Sequence, residues 1–217
     1  MDAFLQQVWV VRWALLDGLW LTVQISALSI VAGTVLGTLI GLALTYGPVP
    51  LRWPARLYVD FIRGTPVLVL ILAAFYILSV IGIQLTPVQA GVFALTLFCG
   101  SHVGEIVRGA LQAIPKGQTE AAKSIGLTFR QTIVYVLIPQ ALRQILPTWV
   151  NTATEMVKTS TLLSVIGVTE LLLATKEIIS RNYMSMQFYL LAAAIYFIIN
   201  YALERFGKSL GRRVALK

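Results

Sequence analysis

The chain has 217 residues, 58% of them hydrophobic and only 12% charged, with a net charge of +8 and a mean hydropathy of +0.81. About a quarter of the residues in an ordinary soluble domain are charged, so this composition excludes a soluble globule. It also excludes a nucleic-acid binder, because the basic residues sit in short clusters between apolar runs. The single cysteine, Cys99, rules out an intrachain disulfide framework and reads as a small packing residue.

The first residues, 1–18, lack the basic start and small-residue cleavage site of a signal peptide and are expected as an outer segment. Trp9, Trp13 and Trp20 read as interfacial anchors near the outer end. A spanning helix needs about 20 apolar residues. Five stretches qualify: 19–45, 65–82, 87–107, 147–173 and 187–204. Together they predict an all-α integral membrane protein that crosses the bilayer several times. The first span carries Gly33, Gly37 and Gly41 at intervals of four, a small-residue stripe suited to close packing of another helix.

Charge orients these spans. Arg52, Arg56 and Arg63 fall between the first and second, and Arg108, Lys116, Lys123, Arg130 and Arg143 between the third and fourth. Arg205, Lys208, Arg212, Arg213 and Lys217 follow the fifth, while only Arg12, Lys176 and Arg181 fall on the opposite side. Lysine and arginine concentrate in the cytoplasm, which predicts an outer N-terminus and a cytoplasmic C-terminus. The expected organisation is an outer segment 1–18, a membrane domain 19–206 containing a cytoplasmic loop 109–146, and a basic tail 207–217.

The loop is long for a plain connection. Pro115 can start a helix there, Glu120, Ala121, Ala122 and Ile125 can continue it, and Gly126 fits a left-handed stop. Thr128 and Gln131 have the capping-box spacing for a second helix, which Pro139 is expected to interrupt before Pro147 opens the next span. Ala121 and Ala122 leave little bulk, so the first helix reads either as a docking surface or as an amphipathic stretch resting on headgroups.

Glu155 and Lys158 are helix neighbours inside the fourth span, with Asn151 and Thr159 on the same face. A charge within hydrocarbon needs a partner or a wet cavity. The stripe is expected to face a wet cavity at a subunit interface, as a path for a zwitterionic solute or as an internal ion pair. His102 is the only histidine and has no spaced partners for a metal site, so no metal is expected. Glu105 and Arg108 read as an inner-end pair holding the loop. Glu170, Lys176, Glu177 and Arg181 form an outer edge, either solvated or a docking surface for an external protein.

The stretch "EAAKSIGLTFRQTIVYVLIP" at 120–139 resembles the EAA loop of permease subunits in bacterial ABC importers. Glu120-Ala121-Ala122, Gly126 and Val136-Leu137-Ile138-Pro139 stand at that family's spacing. "FIRGTP" at 61–66, "GEIVRGALQAIPKGQTEAA" at 104–122 and "SVIGVTEL" at 164–171 resemble the polar amino acid branch, the histidine, glutamine and arginine permeases. The resemblance covers roughly residues 18–206. It implies a type I importer-like fold and a coupling helix in which Glu120, Ala121, Ala122 and Gly126 engage a cytoplasmic ABC ATPase. It further implies a second permease subunit, identical or similar, and a periplasmic solute-binding protein. The chain contains no G-x-x-x-x-G-K-[ST] loop, so it is expected to be a transport subunit and not an enzyme, with ATP-Mg on a separate subunit. Where the branch has Lys-Asp-Thr-Ser-Leu, this chain has Lys158-Thr159-Ser160-Thr161-Leu162. The competing readings are an ion-coupled carrier or channel working without an ATPase, and a membrane enzyme, which would need a cluster of reactive side chains.

Overall fold

The computed structural model describes residues 2–215, and within them eight helical elements and no strand. In chain order they are α1 (Asp2–Tyr46), α2 (Val49–Gly64), α3 (Val67–Val80), α4 (Pro87–Gln112), α5 (Lys116–Ser124), α6 (Phe129–Ile166), α7 (Leu171–Asn182) and α8 (Ser185–Ala215). α1, α4, α6 and α8 are each long and apolar enough to cross a membrane, and the bent pair α2–α3 makes up to five spans. Of the basic tail, residues 216–217 lie outside the described residues, as does Met1.

α4 is the central helix: 61% of its most apolar window is buried, against 11% for that of α8. Its N-terminus is set by a reciprocal capping box between Thr86 and Gln89 with Pro87 in the first turn, where a missing N–H costs nothing. Its flanks fill two cores. Phe98, Val103 and Val107 pack with Leu137, Ala141 and Met156 of α6. Ala90, Ala94 and Leu95 pack with Ile25 of α1, Ile71 of α3 and Leu163 of α6.

α1 lies along α4, and the glycine stripe is where they meet. An added Cβ at Gly37 would stand 2.7 Å from the carbonyl oxygen of Gly100 and 2.9 Å from the amide nitrogen of Gly104. At Gly33 it would meet Cys99 Cβ at 2.5 Å, and at Gly41 the oxygen of Gly104 at 2.7 Å. Such backbone approach excludes any side chain on α1 at these positions, which explains both the stripe and the burial of Cys99 opposite it.

Several boundaries differ from those expected. The helix that carries the first span does not begin at 19: α1 is helical from Asp2, and its 45 residues extend about 68 Å, twice a hydrocarbon core. Tertiary packing carries the helix past the polar Asp17. Phe4, Val8 and Leu15 pack with Leu171, Ile178 and Phe188, and Gly18 lets α7 approach closely. The helix within the second expected span is Val67–Val80, bent by 110° from α2. Pro139 does not interrupt a helix and Pro147 does not open one. Both lie within α6, where a π turn at Thr132–Leu137 rearranges the hydrogen bonding just before Pro139. The expected span 147–173 ends at Gly167, whose φ of +82° reverses the chain, so Leu171–Leu173 belong to α7. α8 starts near the expected edge but runs beyond 204 to Ala215.

Glu170 departs from the expected outer edge. It is fully buried, and its carboxylate accepts hydrogen bonds from the Leu172 and Leu173 amides at 3.0 and 2.9 Å and from the Tyr196 hydroxyl at 2.6 Å. Burial pushes its carboxyl above the usual range, against the pull of these hydrogen bonds. The Leu171 amide donates to Thr22 Oγ1 at 3.1 Å. This knot ties α1, α7 and α8 together. Lys176, Glu177 and Arg181 remain exposed on α7.

Candidate functional site

Two polar regions stand out from the apolar body. The first is α5 with the turn that follows it. Pro115 precedes the helix, and the chain reverses at Gly126, φ +80°, whose amide donates to the Lys123 carbonyl at 2.9 Å while the Leu127 amide donates to that of Ala122 at 3.1 Å. An added Cβ at Gly126 would meet nothing within 4 Å, so glycine is required there for conformation and not for space; an L side chain costs about 1–2 kcal/mol in that region. The next helix starts with the Thr128–Gln131 capping box. Gln140 of α6 donates to Gln118 at 3.2 Å and braces α5 from the side.

The two alanines do not share a role. Ala121 is exposed beside Glu120, whereas Ala122 is 3% exposed, on a helix that packs against the π turn of α6. The projecting surface is therefore Glu120, Ala121 and Ile125, the last 77% exposed. The sequence pattern pointed to Ile125 only as a helix former. Its position one residue before a left-handed glycine was the available signal that it would be left outside.

α5 is coupled to the body through the end of α4. Arg108 donates through Nε and Nη2 to Glu105 and through Nη1 to Gln112, and Arg56 of α2 approaches Glu105 at 3.6 Å. The Glu105–Arg108 pair thus extends to α2 and sits directly before the turn into α5.

The second region is a groove of about 490 Å³ between α6 and α8. Asn151, Thr154 and Lys158 of α6 face Tyr196, Asn200 and Glu204 of α8 across it. The structure divides the expected stripe. Asn151 and Lys158 line the groove, while Glu155, though exposed, and Thr159, half-buried, do not. Among the described residues no ion pair joins Glu155 to Lys158. Lys158 lies in the last α-helical turn of α6, where the helix tightens to 3-10 at Ser160, so the carbonyl-rich end of the α-helical part favours its charge. The partners on α8 were missed from sequence. Tyr196, Asn200 and Glu204 recur every four residues in an apolar span, a polar face that hydropathy alone conceals.

His102 sits against Phe98, its Nδ1 3.0 Å from the Phe98 carbonyl oxygen. Among the described residues no group of three or more His, Cys, Asp and Glu side chains gathers into a metal site.

A long apolar helical body, a short projecting polar helix and a polar groove between two long helices are the features of a multi-span membrane component. The chain belongs to the family of binding-protein-dependent transport system inner membrane components, whose model matches residues 33–216. It is 39% identical over 184 residues to the probable amino-acid ABC transporter permease protein YckA of Bacillus subtilis, covering 85% of this chain and 81% of that one. It is 33% identical to the glutamine transport system permease protein GlnP of Escherichia coli, with 96% of each covered. Among solved structures, a chain of an amino acid ABC transporter crystallised with histidines superposes with a TM-score of 0.89 at 34% identity, covering 97% of this chain and 98% of that one.

Proposed function

We propose that this chain is the permease subunit of an ATP-driven importer of a polar amino acid. It works beside a second permease, identical or similar, with its N-terminus outside and its C-terminus in the cytoplasm. ATP-Mg is bound and hydrolysed on separate ABC ATPase subunits, and a periplasmic solute-binding protein delivers the substrate. The observation that carries this reading is α5: a short helix exposing Glu120, Ala121 and Ile125, buttressed by Ala122 and ended by Gly126. Such a helix has no role in crossing a bilayer and the right shape for a groove on a soluble partner. The amino acid class rests on the relatives named above.

In this reading the substrate passes along the groove between α6 and α8. Lys158 offers its ammonium to the substrate carboxylate, Asn151 and Asn200 offer hydrogen bonds, and Glu204 stands at the inner end of the groove. Glu155 and Thr159 stand to one side, as supports of the path from the same helix turn.

The test is reconstitution in vesicles with the ATPase and the binding protein. Uptake is expected to require ATP on the ATPase side and binding protein on the other. Uptake driven by an ion gradient without the ATPase would replace this reading with an ion-coupled carrier. In the same vesicles, Lys158→Gln is expected to raise the apparent KM about tenfold or more, the worth of one charged hydrogen bond, and Glu155→Gln to change it less. An unchanged KM for Lys158→Gln would remove the groove from the path.

A further inference from the structure

A third polar feature belongs neither to α5 nor to the groove. Between α2 and the inner ends of α1 and α4 lies a pocket of about 330 Å³ lined by Leu44, Arg52, Trp53, Arg56, Arg108 and Gln112. Three guanidinium groups thus converge on one concave site. Glu105 and Gln112 hold Arg108, and Arg56 is shared between Asp60 at 3.0 Å and Glu105 at 3.6 Å. Arg52 has no carboxylate partner among the described residues. Its Nη2 donates to the Gly47 carbonyl at 3.0 Å. A guanidinium carries five N–H donors, so Arg52 and Arg56 retain unused donors beside the pocket. With Arg63 nearby, four arginines face two carboxylates, and the site is net positive.

α2 fixes the depth of this pocket. Its 16 residues hold Arg52, Arg56, Asp60 and Arg63, too many charges for a spanning helix, and it bends by 110° into the apolar α3. Ala55, Val59 and Ile62 pack inward, while Trp53, Leu57 and Phe61 form an exposed apolar stripe at intervals of four. A helix with a packed face, an apolar stripe and an adjoining arginine stripe lies in the membrane interface. Trp53, 75% exposed, lines the pocket, and tryptophan is a side chain that favours headgroup level.

We propose that this pocket binds the phosphate of an anionic phospholipid headgroup, with Arg52 and Arg56 as its principal donors and the acyl chains lying along Trp53, Leu57 and Phe61. The adjoining apolar stripe selects a lipid over a free anion, because phosphate and chains are satisfied side by side. Placing the site in the inner leaflet rests on the orientation proposed above; the binding itself does not. Because Arg108 joins the pocket to the turn into α5, bound lipid stiffens the base from which α5 projects.

The experiment measures lipid retention, which is independent of uptake. The purified transporter complex is placed in nanodiscs of equal phosphatidylglycerol and phosphatidylcholine, and the lipids kept after detergent extraction are counted by native mass spectrometry. Enrichment of phosphatidylglycerol is expected. Arg52→Gln should weaken it about fivefold, with a similar further loss in the Arg52→Gln/Arg56→Gln pair, while Arg181→Gln on α7 leaves it intact. Arg52→Gln breaks no ion pair, so the complex should keep its elution profile. Equal retention of the two lipids, or an Arg52→Gln complex that enriches phosphatidylglycerol like the parent, would overturn the proposal. So would loss of the enrichment in excess inorganic phosphate, which would assign the pocket to a free anion.

Discussion

Ala121→Trp is expected to abolish ATP-driven uptake while leaving the permease folded and in the membrane. Ala121 is exposed on α5 beside Glu120, and nothing in the chain packs over it, so the large ring costs the isolated subunit little. In a docked helix the same ring occupies the space of the partner's groove. Interface positions of this kind lose about 2 kcal/mol or more, and uptake should fall at least about thirtyfold. The control is its neighbour. Ala122 is buried, so Ala122→Trp should reduce the yield of folded protein itself. Uptake and fluorescence-detected size exclusion on both variants separate the two effects. A folded Ala121→Trp protein that still imports at the parental rate would deny α5 its role.

Gly37→Leu is expected to be the most damaging single change to the fold. The new side chain begins 2.6 Å from Val103 Cβ and 2.7 Å from the Gly100 carbonyl, and the second obstacle is backbone that cannot rotate away. Overpacking a core costs about 1–3 kcal/mol even where side chains can adjust. Here α1 and α4 must separate along their whole contact, so little folded protein should be recovered. Gly109→Leu supplies the comparison, since a Cβ there meets nothing within 4 Å. Thermal unfolding in detergent should place Gly109→Leu near the parent. If Gly37→Leu unfolds at the same temperature as Gly109→Leu, the close approach of α1 and α4 does not hold the fold.

What could be read from sequence was whatever had a local cause. Gly126, Thr128 and Gln131 act through their own backbone neighbours, and the left-handed turn and the capping box appear where the residues stand. The glycines of α1 announced a close neighbour through their spacing but could not say that the neighbour was α4. The failures have tertiary causes. The N-terminal turns of α1 are helical because Phe4, Val8 and Leu15 find α7 and α8, contacts that no window of hydropathy contains. Pro139 reads as a break and Pro147 as the start of a span because proline disrupts a helix interior and suits a first turn, yet both lie within α6, Pro139 just after its π turn. Glu170 looked like a solvated edge because its partners, the Tyr196 hydroxyl and two amides of the next turn, become visible only once α8 folds back over α7. The groove was half legible for the same reason. Asn151 and Lys158 are conspicuous in their span, but which neighbours face them depends on where α8 crosses α6.

The central claim, that α5 seats in a separate ATPase, is tested most directly by a photo-cross-linker placed at position 121. Cys99 is buried, so Ala121→Cys provides the reactive thiol for a benzophenone maleimide. In vesicles that import substrate, illumination should join the permease to the ATPase subunit, while the same probe on Val80→Cys, exposed at the far end of α3, should not. An importing complex in which the probe at 121 reaches only lipid or permease, and never the ATPase, would contradict the account.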